Sequence, residues 1–328
     1  NEVPGAIAYV DPNFKMPQVW RSNVNAEFQL PYGFMLSVGA MYTRDIYNVV
    51  QKNMNEKAPS GTYNEQPGRV YWTKNNYYDN PKTKTVIQLT NGDEKGYQYS
   101  FNAVLTKRFD FGFTGSFGYT YTMAKDMTAN PGSSAASVWQ NNVAVNSLND
   151  PGVSYSLFST PHRLIANASY EVAYANMKTT VSLFYTGYQQ GRFSYTYSND
   201  MNGDGNYSDL MYVPASKEEM TFVDIKDKQN NVTYSAVDQQ KDFWNYVNND
   251  SYLNDHKGQY VEPWIHRFDM KIAQDFYAKI GSRKYGIQVS LDMLNIGNLL
   301  NSKWGAYRSC GLQSYDNVRL LKTASKVG

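Results

Sequence analysis

The sequence predicts an all-β protein: an antiparallel transmembrane β-barrel with short periplasmic turns and long extracellular loops. Three observations lead there. Apolar and polar residues alternate over long runs, the runs come in pairs joined by tight turns, and the long polar connections all fall at the opposite end. The clearest pair spans Tyr97 to Met123. Tyr97, Tyr99, Phe101, Ala103, Leu105, Lys107 and Phe109 share one face, against Gln98, Ser100, Asn102, Val104, Thr106 and Arg108 on the other. After the turn Asp110-Phe111-Gly112, the first face continues with Phe113, Gly115, Phe117, Tyr119, Tyr121 and Met123. Successive side chains of a strand point to opposite faces, so a period of two means a strand. Two such runs around a short Asp/Gly turn mean a hairpin. Strands of soluble domains run about 5–6 residues, whereas a strand crossing an outer membrane needs roughly 9–11. Tyrosines at the open end, aliphatic residues in the middle and phenylalanines at the turn match the two aromatic girdles of a membrane.

Taken in order, the first arm is Trp20–Leu30, with Trp20, Ser22, Val24, Ala26, Phe28 and Leu30 on one face. Pro31-Tyr32-Gly33 turns it, and Phe34, Leu36, Val38, Ala40 and Tyr42 return. Residues 49–94 form a long polar connection containing an extended piece, Lys84–Leu89. The hairpin of Tyr97–Met123 follows, then a loop over residues 126–160 rich in Asn, Ser, Gly and Pro. His162–Val172 is the next arm, with Ile165 the one apolar residue on its polar face, and Tyr174-Ala175-Asn176 leads to Met177–Tyr185. Residues 190–262 are the longest loop. Trp264, Phe268, Met270, Ile272 and Phe276 then alternate with Arg267, Asp269, Lys271 and Asp275. A turn at Gly281-Ser282-Arg283 leads to Ile287, Val289, Leu291 and Met293, and a further strand is expected to start near Trp304.

A soluble sandwich would also tolerate alternating strands with charges facing water. It needs neither strands this long nor loops this long. Arg21, Glu27, Arg108, Arg163, Glu171, Arg267, Asp269 and Lys271 all fall on the polar face. An eight-stranded barrel has an interior only wide enough for side chains, so this charge predicts a larger barrel of which the chain is a part. Lys plus Arg total 31 and Asp plus Glu 29, a balance that gives no field for nucleic acid. Aromatic residues make up 15%, with 29 tyrosines. No run of apolar residues is long enough for a transmembrane helix, and one cysteine, Cys310, rules out an internal disulfide framework.

Several stretches resemble TonB-dependent outer-membrane receptors of the Oar-like group. They are Asp11-Pro12-Asn13-Phe14-Lys15-Met16-Pro17-Gln18-Val19-Trp20-Arg21, the segment Asp200 to Pro214, Arg267-Phe268-Asp269-Met270-Lys271, Leu291 to Asn301, and Trp304-Gly305. The resemblance runs over nearly the whole chain, and Leu291–Asn301 is its most specific part. It implies a barrel of about 22 strands closed around a plug. It also implies a receptor that binds a scarce solute, a glycan or a peptide, outside the cell and imports it with energy relayed by the TonB complex. Residues 1–328 would be the C-terminal portion of that barrel, without the plug and the last strand. The implied partners are the TonB complex through the plug, outer-membrane lipid and a surface lipoprotein. Two other functions remain open: a barrel that serves as a scaffold for surface binding or adhesion, and a passive porin.

Asp200, Asn202, Asp204 and Gly205 have the spacing of a calcium loop, in which alternate oxygen side chains wrap a hard cation and the glycine permits the turn. Position twelve of such a loop would be Met211, so Asp209 is the candidate for the missing carboxylate. The same residues also build plain Asn/Asp/Gly turns; calcium here would order a long loop and serve no catalysis. Seven loop aromatics, Trp139, Tyr195, Tyr197, Trp244, Tyr246, Tyr252 and Tyr260, are candidates for contact with the solute, the alternative being packing of the loops on themselves. His162, His256 and His266 lack metal-ligand spacing. No Gly-x-Ser-x-Gly elbow and no phosphate loop occur, so no enzyme is expected.

Overall fold

The computed structural model describes residues 5–64, 66, 68–73, 76–78, 85–214, 216–249, 260–307, 317–319 and 321. Eight long strands dominate the described residues. They are β1 (Gln18–Leu30), β2 (Phe34–Tyr47), β3 (Tyr97–Arg108), β4 (Phe113–Asp126), β5 (His162–Tyr174), β6 (Met177–Gln189), β7 (Trp264–Ile280) and β8 (Arg283–Met293). Each pairs antiparallel with the next in chain order, and β1 and β8 form the two edges of an open meander.

The register keeps one parity from edge to edge. Val24 lies opposite Ala40, Val38 opposite Ala103, Leu105 opposite Phe117, Phe117 opposite Ala166, Leu183 opposite both Ala168 and Met270, and Ile272 opposite Leu291. A slip of one residue in any pairing would move a strand's apolar set to the other face. None occurs within these paired spans except a bulge at Gln18/Val19, at the very start of β1. The apolar residues therefore form one continuous sheet-wide face.

Burial on the two faces is inverted relative to a soluble sheet. Within β6, Val181 and Leu183 are 38% and 41% exposed, whereas Ser182 between them is 8% exposed. Ser100 is likewise buried beside the exposed Phe101. Polar side chains crowd together on one face while apolar ones stand free on the other, which suits lipid outside and a polar lumen inside. On the polar face Lys178 bridges Glu171 at 3.3 Å and Asp275 at 3.5 Å, and Lys271 meets Asp292 directly across the ladder at 3.4 Å. Arg267 instead pairs along its own strand with Asp269 at 2.9 Å. Ile165 fills the space above Gly118, where a Cβ would meet both Ile165 and Val104.

The turns obey local backbone chemistry. Tyr32 and Gly33 have φ of 62° and 73°, and Ala175 and Gly281 also take positive φ. Gly112 combines a φ of 92° with a backbone so close to the Glu171 carbonyl that any Cβ would collide with it. Its own carbonyl accepts the Glu171 N–H at 3.0 Å, which ties two neighbouring turns together. Aromatic rings mark both rims. Phe109, Phe111 and Phe113 cluster at the short-turn end, while Trp20 on Tyr42 and Tyr99 on Tyr121 stand at the other. There His162 and His266 sit among rings, each within hydrogen-bond distance of a tyrosine hydroxyl, Tyr119 at 2.7 Å and Tyr185 at 2.8 Å.

Among the described residues no strand starts near Trp304, where one is expected. Asn295 takes a left-handed conformation, Ile296–Leu299 makes a 3-10 turn, and Trp304 folds back onto Phe268 at 5.8 Å between ring centres. Gly297 lies where a Cβ would press on both rings.

If the apolar face meets lipid, an arginine at its mid-height must destabilise strongly. Leu183→Arg is expected to cost about 2–4 kcal/mol in chemical unfolding of the native protein from lipid vesicles. Ser290→Arg on the polar face should cost far less.

Candidate functional site

The connections at the long-loop end fold together into one body. Ala6–Val10 pairs in parallel with Thr85–Thr90, which pairs antiparallel with Val50–Asn53. The extended piece expected at Lys84–Leu89 is thus a central strand of a small sheet, Lys84 itself lying outside the described residues. Helix α1 (Ala135–Asn141) starts at Ser134, whose hydroxyl accepts the Ser137 N–H in a capping box. It packs Trp139 against Ile87, Ala144 and Leu148. The side chain of Asn149 takes a hydrogen bond from the Asn53 N–H at 2.6 Å and gives one to the Asn53 carbonyl at 3.0 Å, joining loop 127–161 to loop 48–96.

The segment Asp200–Asp209 lies where all three loops meet. The Trp72 N–H donates to the Asn202 carbonyl at 2.7 Å, and the Tyr63 hydroxyl to the Met201 carbonyl at 2.7 Å. The Tyr77 hydroxyl donates to the Asp204 carbonyl at 3.2 Å, and the Ser208 hydroxyl to the Gln140 carbonyl at 2.6 Å. Within the segment, Asp200 accepts the N–H groups of Gly203 at 2.7 Å and Gly205 at 2.8 Å. Asp209 accepts Met201 at 2.8 Å and Asn202 at 3.4 Å, and Asp204 accepts Asn206 at 2.7 Å. Gly203 and Gly205 have φ of 82° and 90°, and a Cβ on Gly203 would strike the Trp72 carbonyl. The motif therefore makes the alternating turn that its spacing predicts, with its acids turned inward.

Asp204 and Asp209 are buried and Asp200 is half-buried, and burial penalises their charge. It is the first cause that pushes Asp209 up to about 8, with the charge of Asp204 second. Burial raises Asp204 to about 6 against hydrogen bonds that lower it, and raises Asp200 against bonds from Gly205 and Gly203. Glu56, from loop 48–96, is pushed to about 8 by burial and then by Asp204. Tyr63 and Tyr77 rise to about 12 for the same first reason. Among the described residues no three His, Cys, Asp or Glu side chains converge at metal-holding distance. Any cation here must draw on amide and carbonyl oxygens as well. Met211, at the twelfth position, is buried in an aromatic cluster with Tyr195, Tyr197, Phe243 and Tyr260.

The loop aromatics divide by depth. Trp139 and Tyr197 are each 1% exposed, and Tyr195 and Tyr260 are also buried. The Trp139 ring joins its loop to Ile87 and donates its indole N–H to Asn149 at 2.9 Å, while Tyr195, Tyr197 and Tyr260 pack together within loop 190–263. On α2 (Ala236–Asn249), Trp244 is half-buried, while Tyr246 is 43% exposed and its hydroxyl meets that of Tyr195. Tyr252 and His256 lie outside the described residues. Among the described ones of the seven, Tyr246 is the most exposed. Glu56 is the residue that sequence reasoning missed. Asn55-Glu56-Lys57 reads as an ordinary polar loop, and no local spacing connects it to a motif so far along the chain.

A family model described as an outer membrane beta barrel domain matches residues 1–303. No curated protein and no solved structure matches the chain.

Trp139→Ala should loosen the loop body and leave the barrel wall intact. Deleting so buried an aromatic is expected to cost about 3–5 kcal/mol. Limited proteolysis would show it as new cleavage within residues 127–161 while the strands stay protected. The same experiment on Tyr207→Ala, at an exposed ring, should match the wild type.

Proposed function

The chain belongs to the outer membrane beta-barrel domain family, and from that premise we propose that it is the solute-facing part of a TonB-dependent receptor. It is a multi-pass β-barrel of the outer membrane, with short turns in the periplasm and long loops outside. The observation that carries the proposal is the charged polar face of an open sheet. Lys178, Glu171, Asp275, Arg267, Asp269, Lys271 and Asp292 all project from it in ion-paired sets. A narrow barrel has no room for such a lining, whereas a wide lumen filled by a plug does. The edges β1 and β8 point the same way, because an unpaired edge in lipid leaves backbone groups unsatisfied and both therefore need partners. The resemblance over Leu291–Asn301 names the receptor class that such a wide, plugged barrel fits.

In this reading the loop body forms the outer face of the binding site for a glycan or peptide-like solute, and TonB acts through the plug. A surface lipoprotein would sit above it. The exposed Val223, Val232 and Val237, on or beside the hairpin Ile225–Tyr234 and α2, offer an apolar contact for such a partner. A passive porin fits less well, since its lumen is an open aqueous channel and needs no knitted loop body.

The test is made on the native polypeptide extracted from the outer membrane. The receptor reading expects a mass far above 37.4 kDa, a plug upstream of Asn1, capture by purified TonB periplasmic domain, and no steady conductance in a planar bilayer. A native species of 37.4 kDa that conducts ions and ignores TonB would sink it.

A further inference from the structure

One carboxylate in the loop body is poorly satisfied. Glu56 is 8% exposed, yet neither of its side-chain oxygens accepts a hydrogen bond. Ser147 is the one hydroxyl close enough to favour its charge, while Asp204 opposes it. Asp204 comes from another loop and is 1% exposed. The backbone brings the two together: Glu56 bridges to Tyr77, and Tyr77 in turn bonds the Asp204 carbonyl. Among the described residues no lysine, arginine or histidine forms an ion pair with either acid. Next to Asp204, the buried Asn206 turns its amide toward that carboxylate and favours its charge. Amide nitrogen and oxygen are interchangeable by a flip, so the same group can present an oxygen to the same space.

Two buried carboxylates side by side, with Glu56 lacking a hydrogen-bond partner and Asp204 accepting the Asn206 N–H at 2.7 Å, can be charged together only beside a counter-charge. We propose that Glu56 and Asp204 together hold a calcium ion, with neutral oxygens of Asn206 and the loop backbone completing the set. Calcium accepts six to eight oxygens in irregular geometry, whereas magnesium demands a regular octahedron and keeps its waters. Two carboxylates balance its charge, so no third acid need converge. Asp200 and Asp209 then act as positioning residues: their oxygens are occupied by the N–H groups of Gly203, Gly205, Met201 and Asn202, which set the loop's shape. The ion would clasp loop 190–263 to loop 48–96 outside the membrane. This inference does not depend on the import reading.

The native protein in detergent, stripped with a chelator, is titrated with calcium alone and followed by calorimetry and limited proteolysis. The expected result is saturable binding, with protection of residues 48–96 and 190–263 together. Glu56→Gln and Asp204→Asn should each weaken binding by about tenfold or more. Asp227→Asn, in the remote hairpin turn, should leave it unchanged. Glu56→Gln removes a buried carboxyl whose charge burial penalises, so it should fold at least as well as the wild type without calcium. No binding at about 1 mM calcium, the weak end for extracellular sites, would overturn the proposal. So would wild type and Glu56→Gln behaving alike with and without the ion. Should either variant fail to fold, the protection of the wild-type loops by calcium still decides: without it, the acids form only a turn.

Discussion

Every backbone N–H and C=O within a bilayer must find its partner in the protein, because lipid supplies none. The rest of this structure depends on that constraint. It makes each membrane-crossing segment between the two edges a strand bonded on both sides, and it keeps eight strands in one unbroken antiparallel ladder. It also explains why the turns at one end are so short. Pro31–Gly33 and the pair Ala175 and Asn176 reverse the chain with little spare backbone, aided by residues in left-handed conformation. The apolar face follows as a second consequence. Once the backbone is satisfied, only the side chains decide which side meets lipid, and Val24, Leu183 and Leu291 do so by standing exposed.

The protein thus contains two regimes of burial. In the wall, apolar groups face outward and polar groups pack against each other through ion pairs such as Lys178 with Asp275. In the loop body the ordinary rule returns: Trp139, Ile87 and Leu148 form a dry core, as in a soluble domain. The aromatic residues serve both regimes. At the rim, Trp264, His162 and His266 stack in the zone where an apolar body and a polar edge are both accommodated. A few residues away, Tyr260 packs on Tyr195 inside the loop core. Composition alone merges the two uses into a single excess of tyrosine.

The loop body also shows how binding and order can share residues. The segment Asp200–Asp209 is at once the knot that joins three loops and the place where buried acids collect. A motif read as a cation loop and a motif read as a plain turn are the same backbone, with the same Asp-to-N–H bonds. What separates the readings is what approaches from outside the motif, and here that is Glu56.

The sequence by itself determined the wall. Strand positions, the face each side chain takes, the turns and the girdles are all set by a period of two and by turn residues, which are local properties. From Trp20 to Met293 the observed register keeps the predicted parity. It also determined the shape of the Asp200 loop, because Asp/Asn/Gly turn chemistry acts over a few residues. Tertiary structure alone decided the rest. It buried Trp139 and Tyr197 and left Tyr246 outside, it folded Trp304 back onto Phe268 in place of a strand, and it brought Glu56 to Asp204. The physical reason is common to all of these. A loop has no repeating pattern to bind its residues to one face, so their depth and neighbours are set by contacts between segments far apart in the chain.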